Sequence, residues 1–209
     1  MNNGVSYIKG KITSPSMTAV MDAVIEVVLN KKDNVFPKFN SGLDEDKFVK
    51  NTTYSIANQI HPKIYKFFKA LFLEQASNPW NLPIEQSVDV DFIDLINYKV
   101  GHYLDWHIDT SAEQYYKSIV EHKWALTDFD HGNRKNKKIS ITLCLSDKQT
   151  YEGGVFEIAN LYEPGVAFSE QLDKFEYVIF PSCLPHRVTP ITKGERWALA
   201  TWANGPEFT

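Results

Sequence analysis

The chain has 209 residues, 43% hydrophobic and 13% aromatic, which is enough for one domain with a substantial core and too apolar for a disordered chain. Its net charge of -4 and pI near 5.9 argue against a broad nucleic-acid-binding surface. No apolar run approaches the roughly 20 residues of a membrane span, and two cysteines, Cys144 and Cys183, are too few for a disulfide framework and read as buried thiols.

The opening residues, MNNGVSYIKGK, lack the apolar core of a secretory signal, so a soluble cytoplasmic protein is expected. Residues 16–30, SMTAVMDAVIEVVLN, carry apolar side chains at helical spacing behind Ser16, a suitable cap. A second helix is expected to open at Pro62, because proline fits a first turn where its missing N–H would have no partner, and to run to about Ser77. Ile64, Phe67, Phe68, Leu71 and Phe72 fall on one core-facing stripe.

From residue 88 the period changes. VDVDFIDLINYKV, KISITLCLS, EGGVFEIAN, FEYVIFPS and RWALATWAN read as strands separated by Gly, Pro and Asp. Helices first and short strands afterwards predict a mainly β protein with N-terminal helices, packed on one face of an antiparallel sandwich or barrel. The expected organisation is a single domain over 1–209, with 1–87 as helical support and 88–209 as the β core. Residues 110–137 exceed an ordinary hairpin loop and read either as a lid or as a surface excursion. Within them lie Tyr115, Tyr116, His122, Trp124, Asp128, Asp130 and His131, a mixture suited to covering a substrate. The basic stretch NRKNKK at 133–138 reads as a solvated loop.

The chemistry-bearing motif is His107-Ile108-Asp109. On an extended strand, residues two apart point the same way, so His107 and Asp109 can grip one ion. With His186 they make two imidazoles and a carboxylate, the facial set of non-heme Fe(II) oxygenases. An HxD alone is weak evidence; here the second histidine sits in FPSCLPHRVTPITKGERWALATW, where Arg196 follows on a strand-like run. A guanidinium is a fixed fork that matches a carboxylate. Strand alternation puts Arg196, Ala198, Ala200 and Trp202 on one face, where the alanines leave room for a ligand and Trp202 is either a wall of the metal pocket or a core tryptophan. Ser140, Thr142 and Cys144 share a polar face opposite Ile139, Ile141, Leu143 and Leu145. Gly153 and Gly154 make a turn. His61, His102, His122 and His131 stay outside the ligand set.

Taken together, four ordered segments resemble the 2-oxoglutarate and Fe(II)-dependent oxygenases, closest to the prolyl 4-hydroxylase-like branch, over residues 88–205. They are YKVGHYLDWHID with Tyr98 and Gly101 before the HxD, then ISITLCLSD, then EGGVFEI, then HRVTPITKGERWALATW. The departures are Leu104 and Cys144, where the family usually has tyrosines, and Ala198, where a hydroxyl residue is common. The resemblance implies a double-stranded β-helix, or jelly roll, with the ligands on its inner wall. It implies Fe(II) on His107, Asp109 and His186, and 2-oxoglutarate held by Arg196 with Tyr98 and Thr142 assisting and Trp202 nearby; ascorbate is an optional reductant. An aspartate rather than a small residue at position 109 favours hydroxylation over halogenation. The implied reaction is O2-dependent hydroxylation of an unactivated C–H, in a peptidyl proline first and in a free amino acid or small metabolite second. Expected partners are a peptide or small-molecule substrate and O2, with no membrane. Nucleic acid is disfavoured, since no second arginine is spaced downstream of Arg196. A non-catalytic jelly-roll binding module is the alternative of another class, and the full ligand set argues against it.

Overall fold

A computed structural model describes residues 7–30, 36–38, 49–56, 62–75, 80, 82, 93–109, 136–160 and 164–205. In chain order they form β1 (Ile8–Lys11), α1 (Pro15–Asn30), β2 (Phe36–Lys38), β3 (Val49–Lys50), β4 (Thr52–Ile56), α2 (Pro62–Gln75), β5 (Ile93–Tyr98) and β6 (Tyr103–His107). The remaining elements are β7 (Asn136–Cys144), β8 (Tyr151–Gly153), β9 (Phe156–Ala159), β10 (Val166–Glu170), β11 (Glu176–Pro181), β12 (His186–Val188), β13 (Ile191–Gly194) and β14 (Arg196–Gly205). None of the described helices is long and apolar enough to cross a membrane.

Both helices form where the apolar period places them. Pro15 rather than Ser16 begins α1, so Ser14 takes the flanking position and its carbonyl accepts the Thr18 N–H at 2.9 Å. Pro62 opens α2 as expected, and residues 76 and 77 lie outside the described residues. The stripe Ile64, Phe68, Leu71 and Phe72 is buried together with Met21, Val24 and Val28 of α1. These side chains share one core with Ile93, Leu95, Ile139, Ile141, Leu143, Ile179 and Leu199 from the sheet.

That sheet has seven strands in the order β1-β11-β7-β14-β5-β4-β2, and a second has five in the order β10-β9-β12-β6-β3. A second core fills the space between them. It joins Tyr98, Cys144, Val178 and Phe180 of the large sheet to Phe156, Ile158, Phe168 and Val188 of the small one. Alternation along β7 therefore works as expected: Ile139, Ile141 and Leu143 pack under the helices, while Cys144 faces the small sheet. The architecture is the antiparallel sandwich that the strand pattern predicts, in the jelly-roll form that the resemblance implies.

Four details differ from the sequence reading. The N-terminal third is not helical support alone, because β1 pairs with β11 and β4 with β5 inside the large sheet. EGGVFEIAN is two strands, β8 and β9, broken at Gly154. Strand β11 begins at Glu176, one residue late, because Phe175 has a φ of 67° and cannot continue an extended strand. Of the segment 110–137, residues 136 and 137 belong to β7, and 110–135 lie outside the described residues.

Strands β8 and β13 form a separate two-stranded ribbon. Its geometry depends on Gly153, whose φ is +77° and whose position leaves no room for a side chain: a Cβ there would lie 2.1 Å from the Pro190 carbonyl oxygen. Both the left-handed backbone and the clash oppose any L-residue. We therefore expect Gly153→Ala to destabilise the protein by about 2 kcal/mol or more, read as a lower urea midpoint at unchanged slope. A midpoint equal to that of the parent protein would contradict this account of the ribbon.

Candidate metal and anion site

His107 is the last residue of β6 and His186 the first of β12, and the pairing of these strands sets the two directly opposite each other. Their rings lie 4.1 Å apart, centroid to centroid. Each Nδ1 rests on the carbonyl two residues earlier, Asp105 at 2.8 Å for His107 and Leu184 at 2.9 Å for His186. A carbonyl can only accept, so in the neutral ring Nδ1 carries the proton and Nε2 keeps its lone pair. Both Nε2 atoms face Asp109, at 3.7 Å from Oδ1 for His107 and 3.5 Å from Oδ2 for His186. One donor atom from each of the three residues falls within 4.8 Å of the others. Phe180 meets the His186 ring edge-on at 4.6 Å and closes that side with apolar surface.

Asp109 is not oriented by strand alternation, as the sequence reading had it. Strand β6 ends at His107, and Asp109 lies in a bend. Its backbone places it: the Asp109 N–H donates to the Ser182 carbonyl at 3.0 Å, and the Ser182 N–H donates to the Lys138 carbonyl at 3.0 Å. Its carboxylate is fixed from the side by Ser140, whose hydroxyl donates to Oδ2 at 2.6 Å and lies 2.9 Å from the Ser182 hydroxyl. The sequence reading placed Ser140 on the pocket face but missed its bond to Asp109, and it missed Ser182 altogether. Spacing carries no signal for these contacts, because they depend on a turn after β11 meeting β7.

The charge states suit cation binding. Burial, reinforced by the neighbouring His186, pushes His107 down to about 4, against the pull of Asp109, so the ring is neutral at pH 7. Burial alone would raise the Asp109 carboxyl, but the two histidines, Lys137 and the Ser140 hydroxyl outweigh it and hold Asp109 at about 2. The Asp109 oxygen and the His107 lone pair thus converge without a proton to displace.

Arg196 opens β14 opposite Tyr98 of β5 and is 0% exposed. Its guanidinium carbon lies 5.4 Å from the Tyr98 ring centre. None of its three side-chain nitrogens makes a well-formed hydrogen bond among the described residues, and the nearest polar help is the Tyr151 hydroxyl. Cys144, Tyr151 and Tyr98 surround it, but both phenols are held neutral, Tyr98 being pushed up to about 12 chiefly by burial. The Tyr151 hydroxyl donates to the Leu172 carbonyl at 2.6 Å. Gly154 brings bare backbone against the arginine, since a Cβ there would lie 3.1 Å from the Arg196 Cδ. A buried cation without such a bond is unfavourable unless an anion arrives, so this corner fits a carboxylate.

Along β14 from Arg196, the same face presents Ala198 opposite Cys144, Ala200 opposite Thr142, and Trp202 opposite Ser140. Small side chains thus separate the arginine from Ser140, the residue that holds Asp109. Thr142 is half-buried in this gap, and half-buried Trp202 is capped by the Lys137 ammonium at 3.8 Å. His102 lies in the turn before β6 and does not join the three-residue cluster. His61, His122 and His131 lie outside the described residues.

Comparison with known proteins agrees with this arrangement. A PKHD-type hydroxylase of Cupriavidus metallidurans is 38% identical over 72 residues, 34% of this chain and 30% of that protein. One from Shewanella sp. strain ANA-3 is 32% identical over 105 residues, covering 50% and 39% respectively. The chain thus aligns with well under half the length of these curated relatives. Among solved structures, a prolyl-4-hydroxylase from Pseudomonas putida superposes with a TM-score of 0.65 at 16% identity, covering 97% of this chain and 94% of that one. A Trichoplax adhaerens prolyl hydroxylase, in complex with a hypoxia inducible factor oxygen degradation domain peptide fragment, gives 0.65 at 15% identity, with 97% and 84% covered. These likenesses show a shared fold. The family model described as the 2OG-Fe(II) oxygenase superfamily matches residues 93–204, more than half of the chain and every residue of the cluster and the anion corner, and the chain belongs to that superfamily.

Proposed function

We propose that this chain is a dioxygenase that uses Fe(II) and 2-oxoglutarate to hydroxylate an unactivated C–H bond, with a peptidyl proline as its first substrate class. The observation that carries the reading is Arg196, a fully buried cation without a well-formed hydrogen bond among the described residues, placed on the inner wall that also holds a three-donor metal cluster. A passive binding module has no need of both. The prolyl hydroxylases among the structural neighbours, one of them with a peptide, support the substrate class. We read residues 1–209 as one oxygenase domain, because β1 and β4 are strands of the same sheet as β14.

In this reading His107 and His186 hold the metal through Nε2 and Asp109 through a carboxylate oxygen. Such a set would hold Fe(II) by three protein donors and leave it able to take 2-oxoglutarate and O2. Arg196 pairs with the distal carboxylate of 2-oxoglutarate, and Tyr98, Thr142 and Trp202 shape the slot between that carboxylate and the metal. When bound, Fe(II) and 2-oxoglutarate supply the oxidising power, O2 being consumed as 2-oxoglutarate is decarboxylated to succinate. The protein's part is orientation and exclusion of water: Phe180 and Phe156 pack around the His186 ring, and Ala198 and Ala200 keep the slot open.

His107→Ala, Asp109→Ala and His186→Ala should each abolish iron-dependent succinate formation while far-ultraviolet circular dichroism stays unchanged. Substantial turnover in the Asp109 variant would sink the ligand assignment. The substrate class is tested by supplying proline-containing peptides, free proline and other free amino acids to the parent protein. Hydroxylation of the free amino acids in preference to every peptide would move the substrate to a small metabolite, and succinate formation with none of them, at intact fold, would favour a binding module.

Arg196→Ala should weaken 2-oxoglutarate binding by about one to two decades, the value of roughly 1.5–3 kcal/mol for a charged hydrogen bond. Metal affinity should barely move. Separate fluorescence titrations of the two ligands distinguish these outcomes, and an unchanged 2-oxoglutarate affinity would refute the role.

Metal-free protein should carry its own pH signature. The folded His107 binds its proton only near pH 4, against 6.5 ordinarily, so between these values the unfolded chain holds more protons than the native one. Stability then rises with pH across the window and is lost on acidification from about 6.5 to 4, by at most about 3 kcal/mol from this residue. Urea denaturation at a series of pH values measures it, and His107→Gln should flatten that stretch of the curve.

A further inference from the structure

Asp109 has two carboxylate oxygens, and they are not equivalent. Oδ2 accepts the Ser140 hydroxyl at 2.6 Å, a short charge-assisted bond, and lies 3.5 Å from the His186 Nε2, whereas Oδ1, 3.7 Å from the His107 Nε2, has no protein donor among the described residues. Since Ser140 has one proton and gives it to Asp109, the 2.9 Å contact between the two serine hydroxyls runs the other way: Ser182 donates and Ser140 accepts. Both serines are buried, at 2% and 0% exposure, so water does not stand in for either. The chain of bonds therefore has one direction, from Ser182 to Ser140 to Asp109. Ser182 is itself anchored through its backbone, which accepts from the Asp109 N–H and donates to the Lys138 carbonyl.

We propose that Ser140, oriented by Ser182, is a positioning residue that holds Asp109 as a one-oxygen metal ligand. With one Oδ2 lone pair taken by Ser140, Oδ1 is the freer oxygen for the ion, and binding through both oxygens would have to compete with that hydrogen bond. This keeps a coordination position from being taken by the second oxygen. The inference rests on the metal-site reading above and assigns to this pair a task that the three ligands do not perform for themselves. Outer hydrogen bonds of this kind typically change metal affinity by 10- to 100-fold, and linked donors act as a unit rather than additively.

The test titrates the protein with Co(II) as a spectroscopic substitute for iron, following its visible absorption in the absence of 2-oxoglutarate and O2. Ser140→Ala should raise the Co(II) Kd by about 10- to 100-fold and change the absorption envelope, as the freed carboxylate engages through both oxygens. Ser140→Thr keeps the hydroxyl and should restore the parent Kd and spectrum. Ser182→Ala should have a smaller effect, and the double variant should be no worse than Ser140→Ala alone. Circular dichroism and urea midpoints confirm that each variant is folded; if Ser140→Ala does not fold, Ser140→Cys, a weaker donor of similar size, takes its place with the same expected direction. An unchanged Kd and spectrum in Ser140→Ala, or equal and additive losses from the two serines, would overturn the proposal. Absence of Co(II) binding by the parent protein would instead overturn the metal site itself.

Discussion

The site depends on the register between β12 and β6. Strand β12 is only three residues long and is paired on both sides, with β6 and with β9. Because side chains alternate, a slip of one residue would turn His186 outward and put Arg187 in its place. The outer face opposes that slip. Arg187 pairs with Glu157 at 2.6 Å and lies 4.7 Å from the centre of the Trp106 ring, and Trp106 is the residue just before His107. The neighbours of the two histidines thus meet on the outside of the sheet as the histidines meet on the inside. Each such contact contributes only about 0.5–1 kcal/mol, but a wrong register would also leave a buried guanidinium between the sheets.

Within the sheets, charge is handled in two contrasting ways. Asp109 is surrounded by groups that favour its anionic form: two imidazoles, the Lys137 ammonium and a serine hydroxyl. Arg196 is surrounded by neutral phenols, a thiol and glycine backbone, and makes no well-formed hydrogen bond among the described residues. One end of the slot therefore gathers a carboxylate and two imidazoles, while the other carries an unmet electrostatic demand among the described residues. A bidentate anion spanning the two would satisfy both ends at once, which matches a molecule with one chelating end and one distal carboxylate.

Much of this was legible from the residues. The stripe Ile64, Phe68 and Phe72 and the alternation along KISITLC each reflect a local period that the backbone must obey, and each matches the structure. What was not legible is long-range. Strand β1, IKGK, has no apolar run to mark it and exists because β11 offers an edge. The start of β11 shifts because Phe175 adopts a positive φ that its sequence does not announce. Asp109 points correctly for a reason other than strand alternation, since Ser182 captures its N–H across the turn after β11. Tyr151 belongs to the separate β8–β13 ribbon and yet lies beside the arginine, and no spacing rule brings a phenol there.

The paired glycines of EGGVF read as turn chemistry, and Gly153 is that. Gly154 differs in kind. With a φ of +60° it turns the chain, but a Cβ there would also meet the Ile191 Cδ1 at 2.5 Å and the Arg196 Cδ at 3.1 Å. Its missing side chain is part of the shape of the anion corner, so conformational freedom and ligand recognition are one requirement at a single atom. A substitution at this position would count as a loop change when sequences are compared. Its effect would fall on the anion corner, because a side chain there would press on the stem of the guanidinium. The room at this corner is thus set in part by a residue that has no side chain.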